Sequence, residues 1–91
     1  MLRITAQEKR GWVTIRLEGA LAGPWVKELQ LCWEATLVSP DQIVVDLSEV
    51  RSIDPDGIDL LQAMHAAGSQ LRAKGLLTNY IVEQIQQQRS A

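Results

Sequence analysis

A short β-branched run followed by a capped helix start constrains this chain more than any other feature. The run Ile43–Ser48 is apolar at three consecutive positions, which is typical of a strand covered on both faces in the middle of a sheet. After a few polar residues, the tetrapeptide Asp54–Gly57 precedes a long segment with apolar residues at helical spacing. The pattern predicts a strand, a short polar loop and a helix, in that order.

The residues at the start of this helix suit their positions. Asp54 is a favourable N-cap, because its carboxylate can accept hydrogen bonds from the free amides of the first turn. Pro55 falls at the first helical position, where its missing N–H costs nothing. Asp56 adds negative charge at the positive end of the helix dipole. The pair of carboxylates is therefore either a well-built cap or an interaction site.

The N-terminal segment predicts a hairpin of two half-buried antiparallel strands, because apolar and polar residues alternate in it twice. The alternating apolar residues are Leu2, Ile4, Ala6, Val13, Ile15 and Leu17. Residues 7–11 between the two runs predict the turn, and Trp12 is expected to cover a sheet face.

A first helix is predicted from Pro24 to about Val38, where Ser39 and Pro40 end it. Its expected core stripe is Val26, Leu29, Trp33 and Leu37.

The second helix is predicted from Pro55 to about Ala73, with an inward stripe that ends at Leu71 and a stop signal at Lys74-Gly75. Leu76-Leu77 then predicts a very short strand, and residues 80–85 predict a final helix. The complete order indicates an α/β fold, with a small mixed sheet of about four strands and helices packed mainly on one side. Residues 1–91 are expected to form a single domain.

Composition excludes several classes of function. The net charge of −2 and the scattered Lys and Arg residues argue against nucleic-acid binding, which normally needs a clustered basic face. The single cysteine, Cys32, excludes an internal disulfide and a multi-cysteine metal site, and it fits a reducing compartment. Without a spanning apolar run or a signal sequence, we expect a cytoplasmic protein with no membrane association.

An enzyme is the least supported class. Cys32 and His65 lie on different predicted helices with no third orienting group, so they do not predict a catalytic pair. The carboxylates of Asp46, Asp54, Asp56 and Asp59 could form a weak divalent cation site, but solvated charge at a helix start is the favoured interpretation. No cofactor and no metal are expected.

Three segments resemble the STAS domain, the sulphate-transporter and anti-sigma-factor-antagonist family. They are Leu17-Glu18-Gly19-Ala20-Leu21, Val44-Val45-Asp46-Leu47-Ser48, and Ile53-Asp54-Pro55-Asp56-Gly57-Ile58 with Leu60-Leu61. The resemblance covers about residues 2 to 85 and is strongest from Asp46 to Gly57, where the family has a strand ending in Asp-Leu, a short loop, Asp-Ser-Ser-Gly and a helix.

The resemblance implies a stand-alone, bacterial anti-sigma factor antagonist-like protein, a non-catalytic module in signalling and transcription regulation. In such antagonists a partner kinase phosphorylates the second serine of Asp-Ser-Ser-Gly. Asp56 is the equivalent residue here and has no hydroxyl, so the phosphorylation switch is chemically unavailable. Its carboxylate carries about one charge, against about −1.5 to −2 for phosphoserine. Asp56 therefore either fixes a modified-like state or serves a partner that never used phosphorylation.

Two further departures from the family pattern concern partner binding and sheet size. Ala22 stands where the family often has an aspartate near its partner surface, which makes a typical anti-sigma kinase a poorer fit. The strand after the second helix is expected to be cut to Leu76-Leu77, which leaves an edge open to pairing.

We expect a protein partner, an anti-sigma factor, a kinase-like protein or another signalling protein, to bind at the start of the second helix and at the loop before the first. The expected contact residues are Leu21, Gly23, Trp25, Asp54, Pro55, Asp56, Gly57 and Ile58. Trp25 is either an interface anchor or a staple over the end of the core. The alternative functions are a scaffold or self-associating subunit of a larger assembly, and a small-ligand sensor for a nucleotide or anion. Acidic residues at the helix start weigh against an anion.

Overall fold

A single mixed sheet organises the computed structural model, which describes residues 1–74 and 80–85. Its strands are β1 (Leu2–Lys9), β2 (Trp12–Leu21), β3 (Ile43–Ile53) and β4 (Gln70–Arg72). Helix α1 (Pro24–Glu34) and a 3₁₀ turn at Pro40–Gln42 connect β2 to β3, α2 (Pro55–Ala66) connects β3 to β4, and residues 80–85 are also helical. The spatial order is β1-β2-β3-β4, with β1 antiparallel to β2 and the other pairs parallel. This arrangement confirms the predicted α/β class and the predicted mixed sheet.

The core lies on one face of the sheet. Every second residue of the two central strands is buried there: Val13, Ile15 and Leu17 on β2, and Ile43, Val45 and Leu47 on β3. Leu29 of α1, Leu61 and Met64 of α2, and Val82 and Ile85 of the last helical segment pack into the same cluster. The helices that the structure describes therefore cover the same face.

The opposite face of the sheet is polar. Arg16 of β2 lies beside Asp46 of β3, which lies beside Arg72 of β4. This face includes a shallow recess lined by Arg3, Thr5, Gln7, Thr14, Arg16, Glu18 and Asp46. Within the described residues, the prediction that β3 is covered on both faces is therefore wrong, although Val44 is buried between its strand neighbours.

The turn of the hairpin is shorter than the turn predicted at residues 7–11. Both strands continue to the last possible residue, so that Lys9 pairs with Trp12 and only Arg10 and Gly11 form the loop. Both loop residues have positive φ, 55° and 82°, as a two-residue type I′ turn requires. Trp12 begins β2 and keeps 41 % of its surface exposed.

Strand β3 continues beyond Ser48 to Ile53, through the segment for which the sequence predicts a short polar loop. Its register against β2 shifts twice, between Arg16 and Glu18 and between Gly19 and Ala20. At the first shift, the Ser48 amide donates to Asp46 Oδ1 at 3.0 Å. These irregularities break the apolar alternation, which is why the sequence pattern indicated a bend.

Helix α1 ends at Glu34, earlier than predicted. Leu37 lies beyond its end and is fully exposed, so its assignment to the core stripe is wrong. Leu29 is fully buried, while Val26 and Trp33 are partly buried against the core. The Trp33 indole N–H donates to Ser69 Oγ at 3.1 Å, and this hydroxyl donates to the Pro40 carbonyl at 2.7 Å.

Helix α2 also ends early, at Ala66, and the predicted stop at Lys74-Gly75 is wrong. Gly68 has a φ of 109°, its amide donates to the His65 carbonyl, and the Ser69 amide donates to the Met64 carbonyl. This is the Schellman pattern of a helix end. Leu71 is buried on β4 instead of on a helix.

The short strand after α2 is therefore β4, and not Leu76-Leu77, which lies outside the described residues. The predicted final helix at residues 80–85 is confirmed.

Candidate functional site

The start of α2 is capped as the sequence predicts. Asp54 is the N-cap, with extended backbone dihedrals, and its Oδ1 accepts a hydrogen bond of 2.8 Å from the Gly57 amide. Pro55 occupies the first helical turn, and Asp56 provides an acidic side chain there. Both predicted local roles, the cap and the dipole charge, are confirmed.

Asp54 also contacts the loop that precedes α1, a contact that the sequence did not predict. Its second oxygen, Oδ2, accepts from the Gly23 amide at 2.9 Å, and its own amide donates to the Leu21 carbonyl at 3.1 Å. The two segments that contain the predicted contact residues, 21–25 and 54–58, are therefore adjacent in space.

A tight turn joins β2 to α1 at this point. The Trp25 amide donates to the Ala22 carbonyl at 3.3 Å, and Gly23 between them has φ 60° and ψ −137°. These dihedrals approximate the first central position of a type II′ turn, which requires positive φ. A glycine is needed at this position because residues with a β-carbon rarely adopt such dihedrals.

Gly57 permits the close approach of α2 to the end of β2. A β-carbon at Gly57 would lie 2.8 Å from the Leu21 carbonyl oxygen and 2.9 Å from Ile53 Cγ2. Both distances are shorter than van der Waals contact, so the glycine of the Asp-Pro-Asp-Gly motif is required for packing.

The predicted contact residues differ in exposure. Gly23, Pro55 and Asp56 are exposed, while Trp25, Asp54 and Ile58 are partly buried, and Trp25 packs against the core. Leu21 and Gly57 are buried, so they support the surface from below. We use "the helix-mouth surface" for the accessible residues Gly23, Trp25, Pro55, Asp56 and Ile58.

Hydrogen bonding governs the ionisation of Asp54. The bond from the Gly23 amide lowers the pKa of its carboxyl group most, and the bond from the Gly57 amide lowers it further. Asp54 is therefore a carboxylate with both oxygens engaged by the protein.

Neither a reactive thiol nor a metal cluster is found in the part of the chain that the structure describes. Cys32 is half-buried, and burial raises the pKa of its thiol, which disfavours the nucleophilic thiolate. Among residues 1–74 and 80–85, no three His, Cys, Asp or Glu side chains are grouped so that they could hold a metal ion. No helix in that part of the chain is long and apolar enough to cross a membrane.

Comparison with solved structures identifies the fold. An anti-sigma factor antagonist from Mycobacterium paratuberculosis superposes with a TM-score of 0.82 and 19 % identity, over 99 % of this chain and 82 % of that one. An antisigma-factor antagonist STAS domain from Rhodobacter sphaeroides gives a TM-score of 0.59 and 15 % identity, over 85 % of this chain and 89 % of that one. A structure of Mglu also matches, with a TM-score of 0.60 and 16 % identity over 78 % of this chain, but the match spans only 19 % of Mglu.

Neither a protein-family model nor a curated protein matches the sequence. The structural likeness nevertheless confirms the predicted resemblance at the level of fold, which is that of anti-sigma factor antagonists and STAS domains.

Proposed function

We propose that this chain is a non-catalytic regulatory module that binds a protein partner through the helix-mouth surface. The proposal rests mainly on one observation, the junction of the turn before α1 with the start of α2 through Asp54. It joins the segment that carries the partly buried Trp25 to the segment that carries the exposed Asp56. The fold shared with anti-sigma factor antagonists favours a regulatory role for such a surface.

Trp25 is the proposed anchor of the interface. It is partly exposed at the start of α1, and its side chain packs against the core. Tryptophan is enriched at interface hot spots, and a large aromatic side chain that is already held against the core loses little conformational entropy when it binds.

Asp56 is the proposed charged contact, with a permanent negative charge in place of a reversible one. It is exposed in the first turn of α2, at the position that matches the phosphorylated serine of the family motif. We propose that it fixes one binding state. The proposed partner is an anti-sigma factor, a kinase-like protein or another signalling protein of a bacterial cytoplasm.

Affinity capture from the native host tests this function. The full chain is the bait, beside Trp25→Ala, Asp56→Lys and the control Glu83→Lys, a charge reversal at an exposed residue of the last helical segment. Amide NMR spectra first verify that each variant is folded. We expect a partner that the wild type and Glu83→Lys retain and that both helix-mouth variants lose. Retention of every captured protein by both variants would show that the surface is wrongly assigned.

Two further results would favour the alternative functions. Capture of further copies of this chain alone would indicate the self-associating scaffold. Thermal stabilisation by a member of a nucleotide panel would indicate the ligand sensor, because a ligand that binds the native state raises the melting temperature.

A further inference from the structure

We infer that Asp54 is a positioning residue that sets the place of Trp25 relative to α2, and that it does not itself contact the partner. The sequence alone places Asp54 among the contact residues, but in the structure each of its two carboxylate oxygens accepts a backbone hydrogen bond from within the chain. The use of this positioning in binding rests on the proposed function. The positioning itself can be measured without a partner.

The two carboxylate oxygens hold different segments. Oδ1 accepts from Gly57 in its own helix, and Oδ2 accepts from Gly23 in the turn before α1. The Asp54 amide adds a third link, to the Leu21 carbonyl. One residue therefore caps α2 and anchors both the end of β2 and the following turn.

The anchored turn leads directly to the tryptophan. The Trp25 amide donates to Ala22, and the Val26 amide donates to the Gly23 carbonyl at 3.2 Å. A displacement of Gly23 therefore moves the first turn of α1, on which the Trp25 side chain stands. The first turn of α1 contains no acidic residue, and its N-cap Gly23 has no side-chain cap. The hydrogen bond from the Gly23 amide to Asp54 therefore ties this turn to the start of α2.

Capping alone does not require an aspartate. Asparagine and serine are about as favourable as aspartate at an N-cap. Each offers a single side-chain oxygen, and the amide nitrogen of asparagine would face the Gly23 amide as a second donor. The substitutions Asp54→Asn and Asp54→Ser should therefore keep the cap and lose the link to the turn.

Amide hydrogen exchange of the full ¹⁵N-labelled chain tests the inference. We expect exchange at Gly23 to accelerate about tenfold in Asp54→Asn and Asp54→Ser, since a charge-assisted hydrogen bond is lost, while exchange at Gly57 changes by less than about twofold. The indole N–H resonance of Trp25 should shift, and that of Trp33, which is bonded to Ser69, should not. Asp59→Asn, which removes the same charge at an exposed position further along α2, is the matched control and should leave all four signals in place.

Two spectroscopic results would overturn the inference. Unchanged exchange at Gly23 would show that the link has no role, and equal acceleration at Gly23 and Gly57 would show that the substitution merely loosens the helix start. These readouts require no partner, so they remain decisive even if affinity capture contradicts the proposed function.

A double-mutant cycle separates positioning from contact once a partner is isolated. We expect Asp54→Asn alone to weaken partner binding about tenfold. Added to Trp25→Ala, it should have little further effect on binding, because the two residues act through one interaction. Fully additive losses would identify Asp54 as a direct contact and would contradict the inference.

Discussion

The α-carbon of Gly57 lies so close to Leu21 that an added β-carbon would be 2.8 Å from the Leu21 carbonyl oxygen. The next nearest atom is Cγ2 of Ile53. Both residues flank the start of α2 and Leu21 is fully buried, so neither can move away easily to make room for a β-carbon.

Gly57→Ala should therefore destabilise the protein. From helix propensity alone, alanine would stabilise α2 by about 1 kcal/mol. Because the added methyl overlaps backbone, we expect instead a loss of about 1–3 kcal/mol in the free energy of unfolding, measured by urea denaturation. Ala63→Ser, at an exposed position of α2, is the control and should stay within about 0.5 kcal/mol of wild type. A stabilised Gly57→Ala variant would show that the close approach is incorrect.

Arg10 is expected to limit the stability of the hairpin. Its φ of 55° belongs to the left-handed region, where asparagine is tolerated far better than arginine. Arg10→Asn should raise the free energy of unfolding by about 0.5–1 kcal/mol, and Arg10→Val, β-branched at the same φ, should lower it by at least about 1 kcal/mol. Equal effects of the two variants in denaturant titrations would contradict the type I′ turn.

The link from Trp33 through Ser69 to Pro40 should be worth more than a surface hydrogen bond. Ser69 is buried, with 2 % of its surface exposed, and its hydroxyl accepts from the Trp33 indole and donates to the Pro40 carbonyl. Ser69→Ala should cost about 1–3 kcal/mol, because it leaves polar groups without a partner. In a double-mutant cycle with Trp33→Phe, the combined loss should be smaller than the sum, and additive losses would show that the link is not formed.

Asp46 should contribute stability that acid removes. Burial acts to raise the pKa of its carboxyl group, but hydrogen bonds from Ser48 and the positive charges of Arg72 and Arg16 outweigh it, so the pKa lies below its ordinary value. A carboxyl group with a lowered folded-state pKa stabilises the native state above its unfolded pKa of about 3.9 and loses this contribution as the pH falls through the folded pKa.

Urea titrations at a series of pH values from 6 to about 2 test this contribution. The free energy of unfolding of Asp46→Asn should fall less steeply with decreasing pH than that of the wild type. Added salt should reduce the difference in pH dependence between the two proteins, because salt screens the arginine charges but not the hydrogen bonds. An identical acid dependence of the two proteins would contradict the lowered pKa.

A hydroxyl introduced at position 56 should be compatible with the fold. The free energy of unfolding of Asp56→Ser should differ from that of the wild type by no more than about 1 kcal/mol, because serine also suits a helix start.

A cognate kinase, incubated with the wild type, should leave residues 54–58 unmodified. Ser52 is the nearest acceptor and is exposed on β3, so phosphate mapped to Ser52 by mass spectrometry would show that the domain keeps a switch.

Local chemistry predicted the helix starts better than the helix ends. Asp54 and Pro55 identify the start of α2, because capping depends on neighbouring residues only. The sequence does not reveal the end of α2, because Leu71, the buried residue of β4, continues the helical spacing from Met64. Gly68, with a φ of 109°, is the glycine that ends α2. In the sequence it is equally compatible with a helix face of small residues that packs closely.

The site was predictable in its parts and unpredictable in its assembly. The N-cap role of Asp54 follows from sequence, whereas its bond to Gly23 joins residues 31 positions apart and depends on how β2 and β3 align. That alignment includes register shifts, which no periodic pattern reveals. The requirement for glycine at position 57 is likewise a property of the approach between α2 and β2.

The parallel pairing of β2 with β3 makes the centre of the sheet a non-local contact, which bears on how the chain folds. The β1–β2 hairpin closes through a two-residue loop, but a lone hairpin is at best marginally stable in water. Strands β2 and β3 are separated along the chain by α1 and the 3₁₀ turn. Pairing them therefore costs more conformational entropy of loop closure than closing the hairpin does. We therefore expect the rate of folding to depend on residues of β2, α1 and β3 together, and the hairpin turn to influence mainly how fast the native protein unfolds.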